Sequence, residues 1–127
     1  FTEFQNCTLN NIDWLSLQGD GSFADPIEKL QDCRLKYNTF TEMNFTKFNF
    51  AGNEIQRSMF AKCNLVNADF EKCDLLDTEF YQCDMRKANF KEAGGYKVDI
   101  FGCKLQDAKF SLPEAVLLLG DLRIKLL

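Results

Sequence analysis

Large apolar residues recur at every fifth position over more than half of the chain. The series runs Phe40, Phe45, Phe50, Ile55, Phe60, Leu65, Phe70, Leu75, Phe80, Met85, Phe90, Gly95, Ile100, Leu105 and Phe110, with Gly95 as its one interruption. A five-residue period fits neither ordinary element, because five helical steps turn a side chain by about 140° and five strand steps reverse its face. The pattern therefore predicts a chain that turns after every five-residue unit.

A second, smaller inward position precedes each large one by two residues. Its occupants from position 58 onward are Ser58, Cys63, Ala68, Cys73, Thr78, Cys83, Ala88, Ala93, Val98, Cys103 and Ala108. If each unit forms one side of a square, four units make a coil of about 20 residues, and coils stack at the ordinary strand spacing of about 4.8 Å. This predicts an all-β fold, a four-sided β-helix.

Residues twenty positions apart should then stack in buried columns. One predicted column contains Phe50, Phe70, Phe90 and Phe110, a second contains Phe40, Phe60, Phe80 and Ile100, and a third contains the thiols of Cys63, Cys83 and Cys103. Stacked aromatic rings stabilise neighbouring coils. Bulky Met43 and Phe48 occupy small positions, so we expect the first clear coil to be distorted or wider.

The repeat divides the chain into segments of one domain, residues 1–127. Phe4, Leu9 and Trp14 keep the spacing, so residues 1–14 are predicted to be N-terminal repeats. Residues 15–29 contain Gly19-Asp-Gly21 and Asp25-Pro26, which predict a loop or bulge. Residues 30–112 form the main repeats, and residues 113–127 form a helical cap and dimerisation tail. Since the sequence opens inside patterned residues, we expect further coils upstream.

The C-terminal segment has the signals of a helix that closes the stack. Ser111 and Glu114 have the spacing of a capping box with Pro113 in the first turn, which predicts a short α-helix, and the alternation after Gly120 predicts a half-buried strand. Such a helix is apolar around much of its circumference, so a second copy could cover it. The predicted dimer interface consists of Leu117, Leu118, Leu119, Leu122, Ile124 and Leu126. Alternatively, helix and tail cover each other within a monomer.

Short motifs in the repeats resemble a known family. Ala68-Asp69-Phe70 and Ala88-Asn89-Phe90 match the Ala-(Asp/Asn)-(Leu/Phe) signature of pentapeptide-repeat proteins, and the resemblance covers roughly residues 30–112. The segment from Tyr96 to Ile124 is similar to the C-terminus of the topoisomerase-protecting subgroup, which includes Qnr quinolone-resistance, albicidin-resistance and microcin-resistance proteins. The resemblance implies a right-handed quadrilateral β-helix that dimerises through its C-terminal cap and binds DNA gyrase as a DNA-like rod.

Composition argues for a binding protein rather than an enzyme. The chain has 15 Lys and Arg against 19 Asp and Glu, a formal charge of -4, which disfavours direct binding of nucleic acid. It lacks His, a Cys-x-x-Cys pair and an apolar run of membrane length, so we expect no catalytic residue, metal, cofactor or membrane partner, and a cytoplasmic location. We interpret the six Cys as reduced core fillers; a thiol enzyme is the least favoured reading.

Acidic residues are expected on two adjacent sides of the square. Over residues 38–112, the side of Phe60 sums to -2 and the side of Ile55 to -1, while the side of Leu65 sums to +2. Tyr81 and Phe101 should stand outside the first acidic side, and Leu76 and Tyr96 outside the second. The predicted partner-binding residues are Glu54, Asp74, Asp77, Glu79, Asp99, Tyr81 and Phe101.

These sides are much less acidic than DNA. About twelve phosphates line 20 Å of duplex, so mimicry would depend on shape as well as charge. The first hypothesis is a protein that binds DNA gyrase or topoisomerase IV and protects it from an inhibitor, conferring antibiotic or toxin resistance. The alternative is a generic repeat scaffold for another protein partner.

Overall fold

A computed structural model describes residues 2–17 and 27–127 of the chain. The strands are two or three residues long and are separated by tight turns. They are β1 (Glu3–Gln5), β2 (Thr8–Asn10), β3 (Lys29–Gln31), β4 (Arg34–Lys36), β5 (Thr39–Thr41), β6 (Glu54–Gln56), β7 (Met59–Ala61), β8 (Glu79–Tyr81), β9 (Asn89–Phe90), β10 (Lys97–Val98) and β11 (Lys109–Phe110). Two 3₁₀ helices span Leu15–Leu17 and Glu114–Leu122.

All strand pairs are parallel, and they stack into four sides. Side 1 contains the pairs β1–β3 and β9–β11, side 2 contains β2, β4 and β6, and side 3 contains β5, β7, β8 and β10. Side 4 is built from isolated bridges that join Asn44 to Asn64, Asn64 to Asp84, and Asp84 to Lys104. Most partners are twenty positions apart, as Phe40, Phe60 and Phe80 are. The predicted right-handed quadrilateral β-helix is therefore confirmed.

Aromatic columns fill the inside of the square. The rings of Phe50, Phe70, Phe90 and Phe110 stack with centroid separations of 4.5, 4.8 and 5.0 Å. Those of Phe40, Phe60 and Phe80 stack at 4.5 and 5.0 Å. Neighbouring columns meet edge to face, as at Phe60 and Phe70, the second favoured geometry for aromatic pairs. Apart from half-buried Phe110, these rings are buried, and the columns predicted from the spacing form the core.

The small inward residues tie consecutive coils together. From Cys63 onward, the inward thiols and the Thr78 hydroxyl each donate a hydrogen bond to the carbonyl of the large inward residue twenty-three positions earlier: Cys63 Sγ to Phe40 (3.2 Å), Cys83 Sγ to Phe60 (3.2 Å), Thr78 Oγ1 to Ile55 (2.6 Å). Cys103 repeats the pattern with Phe80 at 3.4 Å. The predicted thiol column is therefore present and buried.

Asn and Asp recur before each large residue for a local reason. The side-chain oxygen of Asn64 accepts a hydrogen bond from the backbone N–H of Val66 at 3.1 Å, and Asp69 does the same for Glu71 at 2.9 Å. Such Asx turns direct the chain round each corner. The corner residue itself then adopts a positive φ, as in Asn67 and Lys72.

The first coil is longer than the others. Phe4 pairs with Leu30, so 26 positions separate them instead of twenty. The predicted loop at 15–29 begins with the 3₁₀ helix and ends at buried Ile27; Gly19-Asp-Gly21 and Asp25-Pro26 lie outside the described residues. A buried hydrogen bond from Trp14 Nε1 to Asn38 Oδ1 (2.8 Å) fastens this coil to the next.

Two bulky residues fit into the second coil without disturbing its pairing. Met43 is buried, and Phe48 is half-buried with its ring 4.5 Å from that of Phe50. Asn44 and Asn49 still pair with residues twenty positions later. The bulky side chains therefore leave the strand pairing of this coil regular.

The predicted register is wrong between positions 95 and 103. In β10, Val98 pairs with Phe80, so Val98 rather than Ile100 continues the column, and Ile100 is half-buried. Gly95 makes this possible: its φ is +80°, and a Cβ there would lie 2.6 Å from the Leu76 Cα. The turn at Gly95 is two residues shorter than the corresponding turn of the preceding coil. The next turn is two residues longer, so Lys104 again pairs with the residue twenty positions earlier, Asp84.

Tyr96 is buried, contrary to the prediction that it lies outside. The missing side chain of Gly95 leaves interior space, and the Tyr96 ring fills it against Phe90 and Phe110 at 5.8 and 5.6 Å. Its hydroxyl has no hydrogen-bond partner within the described residues. Burial raises the pKa of Tyr96 to about 12, and the charge of Glu114 adds to the shift.

The C-terminal cap exists but differs in type from the prediction. It is a 3₁₀ helix, Glu114–Leu122, not an α-helix, and it has no side-chain N-cap bond. Ser111 does not form the capping box: its Oγ accepts a hydrogen bond from the Glu92 N–H at 3.0 Å. The predicted half-buried strand is also wrong, because residues 123–127 are exposed and irregular.

Candidate functional site

Exposed large apolar side chains of the coils gather on two of the four sides. Within residues 27–111 they are Tyr37, Met59, Leu76, Tyr81 and Phe101. Met59 and Tyr81 lie in side 3, Phe101 follows its last strand, Leu76 lies on side 2, and Tyr37 lies at the corner between them. Over the same residues, sides 1 and 4 carry none. This asymmetry marks sides 2 and 3 as the candidate binding surface.

The structure brings the predicted acidic residues to the same two sides. Glu54 lies in β6 and is bridged to Asp74 on side 2, and Asp77 occupies the next corner. Glu79 lies in β8 on side 3, and Asp99 follows β10. We call these five residues, together with Tyr81 and Phe101, the acidic surface. Its role in partner binding remains a prediction.

Basic residues offset part of this charge. Glu54 lies 3.8 Å from the Arg34 guanidinium, and Asp77 lies 3.4 Å from the Lys97 ammonium. The register shift moves Lys97 to side 3, opposite Glu79. Within residues 38–112, side 2 therefore sums to -2 and side 3 to -1, the reverse of the predicted division, while the total of -3 is unchanged. The surface is moderately acidic and has few free cations.

Two predicted binding residues also have a structural role that the sequence analysis missed. The Oδ1 atoms of Asp74 and Asp99 each accept a hydrogen bond at 3.2 Å from the N–H two residues later. Asp74 also accepts a 2.7 Å bond from Gln56 Nε2. Their position in the repeat, where Asn and Asp form Asx turns, was the available signal. Asp77 and Glu79 are exposed and carry no such bond to the backbone.

A groove runs along the corner between sides 2 and 3. It has a volume of about 550 Å³ and is bordered by Tyr37, Arg57, Met59, Glu79 and Lys97, among others. Arg57 Nη1 donates a 3.0 Å hydrogen bond to the Tyr37 hydroxyl, which raises the pKa of Arg57. Tyr, Met and Arg are enriched at protein interfaces, and this corner presents one of each beside several charged groups.

The buried thiols are poorly suited to chemistry. Burial raises the pKa of Cys73 to about 12, and a hydrogen bond with Cys83 raises that of Cys103. The Cys83 thiol lowers the pKa of Cys63, but Cys63 is only 2% exposed. A protonated or inaccessible thiol is a weak nucleophile and metal ligand. Among residues 2–17 and 27–127, no cluster of three or more Cys, Asp or Glu could hold a metal ion.

Replacing Cys63, Cys83 and Cys103 together by Ala should preserve the fold, because Ala68 and Ala88 already occupy equivalent inward positions. Each S–H bond to a carbonyl is weak, so we expect a loss of about 1 kcal/mol or less per site. Urea unfolding followed by circular dichroism measures it. A triple variant that fails to fold, or stoichiometric zinc in the purified parent, would show that the thiols do more than fill space.

The residues of the predicted dimer interface lie at the C-terminal end of the stack. Leu117, Leu122, Ile124 and Leu126 are exposed. Leu118 and Leu119 are half-buried, and Leu118 packs against the core. The exposed members, with Val116 and Leu127, form what we call the terminal apolar patch.

No helix in the part of the chain that the structure describes is long and apolar enough to cross a bilayer.

Comparison with known proteins places the repeats in a family. No curated protein sequence matches the chain. The family model for the pentapeptide repeat region matches residues 53–114.

Similar solved structures include other proteins of this kind. The pentapeptide-repeat protein Rfr23 of the cyanobacterium Cyanothece 51142 is 14% identical, with 87% of this chain and 88% of that chain covered and a TM-score of 0.48. HetL, a pentapeptide-repeat protein involved in heterocyst differentiation regulation in Nostoc sp. PCC 7120, is 17% identical over 84% of this chain and 46% of its own, with a TM-score of 0.47. Trypsin-treated QnrB1, a plasmid-mediated fluoroquinolone resistance protein, is 18% identical. The alignment covers 99% of this chain and 90% of that chain, with a TM-score of 0.42. The five-residue period, the four-sided parallel coils and the match to the family model together identify residues 53–114 as a pentapeptide-repeat region.

Proposed function

We propose that this protein is a cytoplasmic, non-enzymatic binding protein that occupies part of the DNA-binding surface of DNA gyrase or topoisomerase IV and protects the enzyme from an inhibitor. The observation that carries the proposal is the acidic surface, which presents five carboxylates and two exposed aromatic rings on two adjacent sides of the four-sided β-helix. A surface that binds DNA is basic, and it attracts an acidic body of suitable shape. The resemblance of residues 96–124 to the topoisomerase-protecting subgroup selects gyrase among basic partners.

Shape contributes as much as charge to the proposed mimicry. The coils form a straight stack in which Phe50, Phe70, Phe90 and Phe110 keep nearly parallel rings, with interplanar angles of 8°, 8° and 10°. On side 2, the paired carboxylates of Glu54 and Asp74 follow one another along the stack. Duplex DNA is far more highly charged, so a partner that recognised charge alone would prefer DNA. The exposed rings of Tyr81 and Phe101 offer contacts that a phosphate backbone lacks.

A second copy of the chain would extend the rod. The terminal apolar patch lies at one end of the stack, so a two-fold axis through it would join two stacks end to end. A dimer would present two acidic surfaces, matching the two-fold symmetry that we expect of a type II topoisomerase.

Charge reversal tests the proposal. The double variant Asp77→Lys, Glu79→Lys changes the charge of the acidic surface by +4 and should weaken binding to purified gyrase at least tenfold at low salt, mainly through slower association. Lys is acceptable at the Asp77 corner, since Lys62 and Lys87 adopt the same positive φ. Surface plasmon resonance at two salt concentrations measures the rates.

The matched control places the same charge change elsewhere. Asp107 occupies an equivalent corner, and Glu71 lies on side 1, so Glu71→Lys, Asp107→Lys should bind within about twofold of the parent. Equal loss in both variants would indicate a general charge effect. A parent protein that binds neither gyrase nor topoisomerase IV would refute the proposed function.

A further inference from the structure

Phe101 projects from a turn that breaks the regular repeat. The column partners on side 3 are twenty positions apart until β10, where Val98 pairs with Phe80. Register returns at Lys104, which pairs with Asp84. The chain therefore has two extra residues between Val98 and Lys104, relative to the corresponding turns of the other coils. These two residues form a small protrusion at the corner of sides 3 and 4.

The protrusion is held by its own hydrogen bonds. The Cys103 N–H donates to the Asp99 carbonyl at 2.9 Å, and the Phe101 N–H donates to Asp99 Oδ1 at 3.2 Å. A Cβ at Gly102 would lie 2.5 Å from Asp99 Oδ2, so the Asp99 side chain packs directly over Gly102. The turn is therefore ordered before any partner arrives, which lowers the entropy cost of binding.

This turn exposes a large aromatic side chain. Phe101 is 73% exposed, the largest value among the exposed apolar residues of the coils, and Tyr81 in the adjacent strand is also exposed. The shorter turns after β7 and β8 begin with the polar Lys62 and Gln82 and expose no large apolar side chain. An exposed aromatic ring on a turn held by its own hydrogen bonds has the features of an interface anchor.

Carboxylates surround the cleft beside this anchor. Glu79, Asp99 and Asp121 line a cleft of about 240 Å³ together with Tyr81, Lys97 and Val98. Asp121 comes from the C-terminal 3₁₀ helix, so the cleft joins side 3 to the cap. Three carboxylates against one ammonium leave the cleft acidic, which favours a partner with cationic groups around an apolar pocket.

We infer that Phe101 is the anchor by which this chain docks on its partner, and that the partner is a folded protein with an apolar pocket rimmed by Lys or Arg. The inference rests on the proposed function, for which it names the contact residue. A lipid surface fits less well, because the acidic cleft would be repelled by anionic headgroups. Nucleic acid is disfavoured for the same reason.

The test measures binding of purified gyrase to the parent, to Phe101→Ala and to the control Leu112→Ala. Leu112 is 81% exposed and apolar but follows β11 on side 1, outside the candidate binding surface. We expect Phe101→Ala to weaken binding at least tenfold, mainly through faster dissociation, and Leu112→Ala to stay within about twofold. A fourth variant, Glu79→Gln with Asp121→Gln, should slow association and reduce the salt dependence while leaving dissociation nearly unchanged.

The outcomes separate the two proposals. If the parent binds gyrase and Phe101→Ala binds equally well, Phe101 is not the anchor, while the proposed function stands. If Phe101→Ala and Leu112→Ala lose affinity equally, the contact is a diffuse apolar one and the inference is wrong. If the parent does not bind, both proposals fail. Since Phe101 faces solvent, its variant should melt with the parent, which excludes misfolding as the cause of a loss.

Discussion

Replacing Phe70 by Ala should lower the free energy of unfolding by about 3–5 kcal/mol. The Phe70 ring is fully buried between Phe50 and Phe90, at 4.5 and 4.8 Å, and meets Phe60 and Phe80 edge to face. The coils cannot collapse into the resulting cavity, because main-chain bonds such as that from Phe70 N to Asn89 O (2.7 Å) fix their spacing. Urea unfolding followed by circular dichroism measures the change.

Phe101→Ala is the matched control for this experiment. It removes the same atoms from a side chain that is 73% exposed, so its effect on stability should stay within about 0.5 kcal/mol. The difference between the two variants isolates burial from side-chain chemistry. If both proteins unfold at the same urea concentration as the parent, the stacked column is not the core of the molecule.

Introducing Lys at both Leu117 and Ile124 should convert a dimer into a monomer. Both side chains are exposed in the terminal apolar patch, and two charges per chain would face their equivalents across a two-fold interface. Leu118 is a poorer choice than the sequence suggested, because it packs against the core and a Lys there would disturb the fold. Light scattering at tens of micromolar protein gives the mass.

A charge placed elsewhere controls for nonspecific effects. Leu76→Lys adds a charge to another exposed apolar site, on side 2 of the coils, and should leave the dimer intact. Circular dichroism should show unchanged coils in all three proteins. An unmodified protein that is monomeric at these concentrations would mean that the patch is not covered by a second copy.

The repeat made most of the fold predictable, because one spacing determines both the turn and the core. Phe50, Phe70, Phe90 and Phe110 are twenty positions apart, and only a four-unit coil stacks them. Buried Asn38 and Asn53 were not singled out, although both precede a large residue by two positions. Their side chains hydrogen-bond backbone groups of the neighbouring coil, such as Leu9 O for Asn38 at 2.8 Å and Cys33 N for Asn53 at 2.8 Å.

The errors came from places where one residue changes the geometry of a turn. Counting in fives placed Ile100 in a column and Tyr96 outside, but the turn at Gly95 is shorter by two residues. A missing side chain at one inward position was the signal that its neighbour could move inside. The five-residue periodicity cannot reveal such compensating changes, because the spacing of twenty between paired residues is restored at Lys104.

The candidate site was only partly accessible from sequence. Counting in coils of twenty residues was enough to assign the acidic residues to sides 2 and 3. The hydrogen bonds of Asp74 and Asp99 to the backbone, and the position of Lys97 on side 3, became visible only in the structure. The type of the C-terminal helix also escaped prediction, because the Ser111 and Glu114 spacing suggests a capping box whether or not the hydroxyl is free. Here the hydroxyl is occupied by Glu92 N–H.

A gyrase supercoiling assay with a quinolone tests the proposed function most directly. Relaxed plasmid, gyrase and an inhibitory amount of the drug are incubated with the parent protein, with Asp77→Lys, Glu79→Lys, or with Glu71→Lys, Asp107→Lys. We predict that the parent and the Glu71/Asp107 variant restore supercoiling and reduce drug-induced cleavage, whereas the Asp77/Glu79 variant does neither. A parent protein that leaves both supercoiling and cleavage unchanged at every concentration up to tens of micromolar would contradict protection of gyrase from the quinolone.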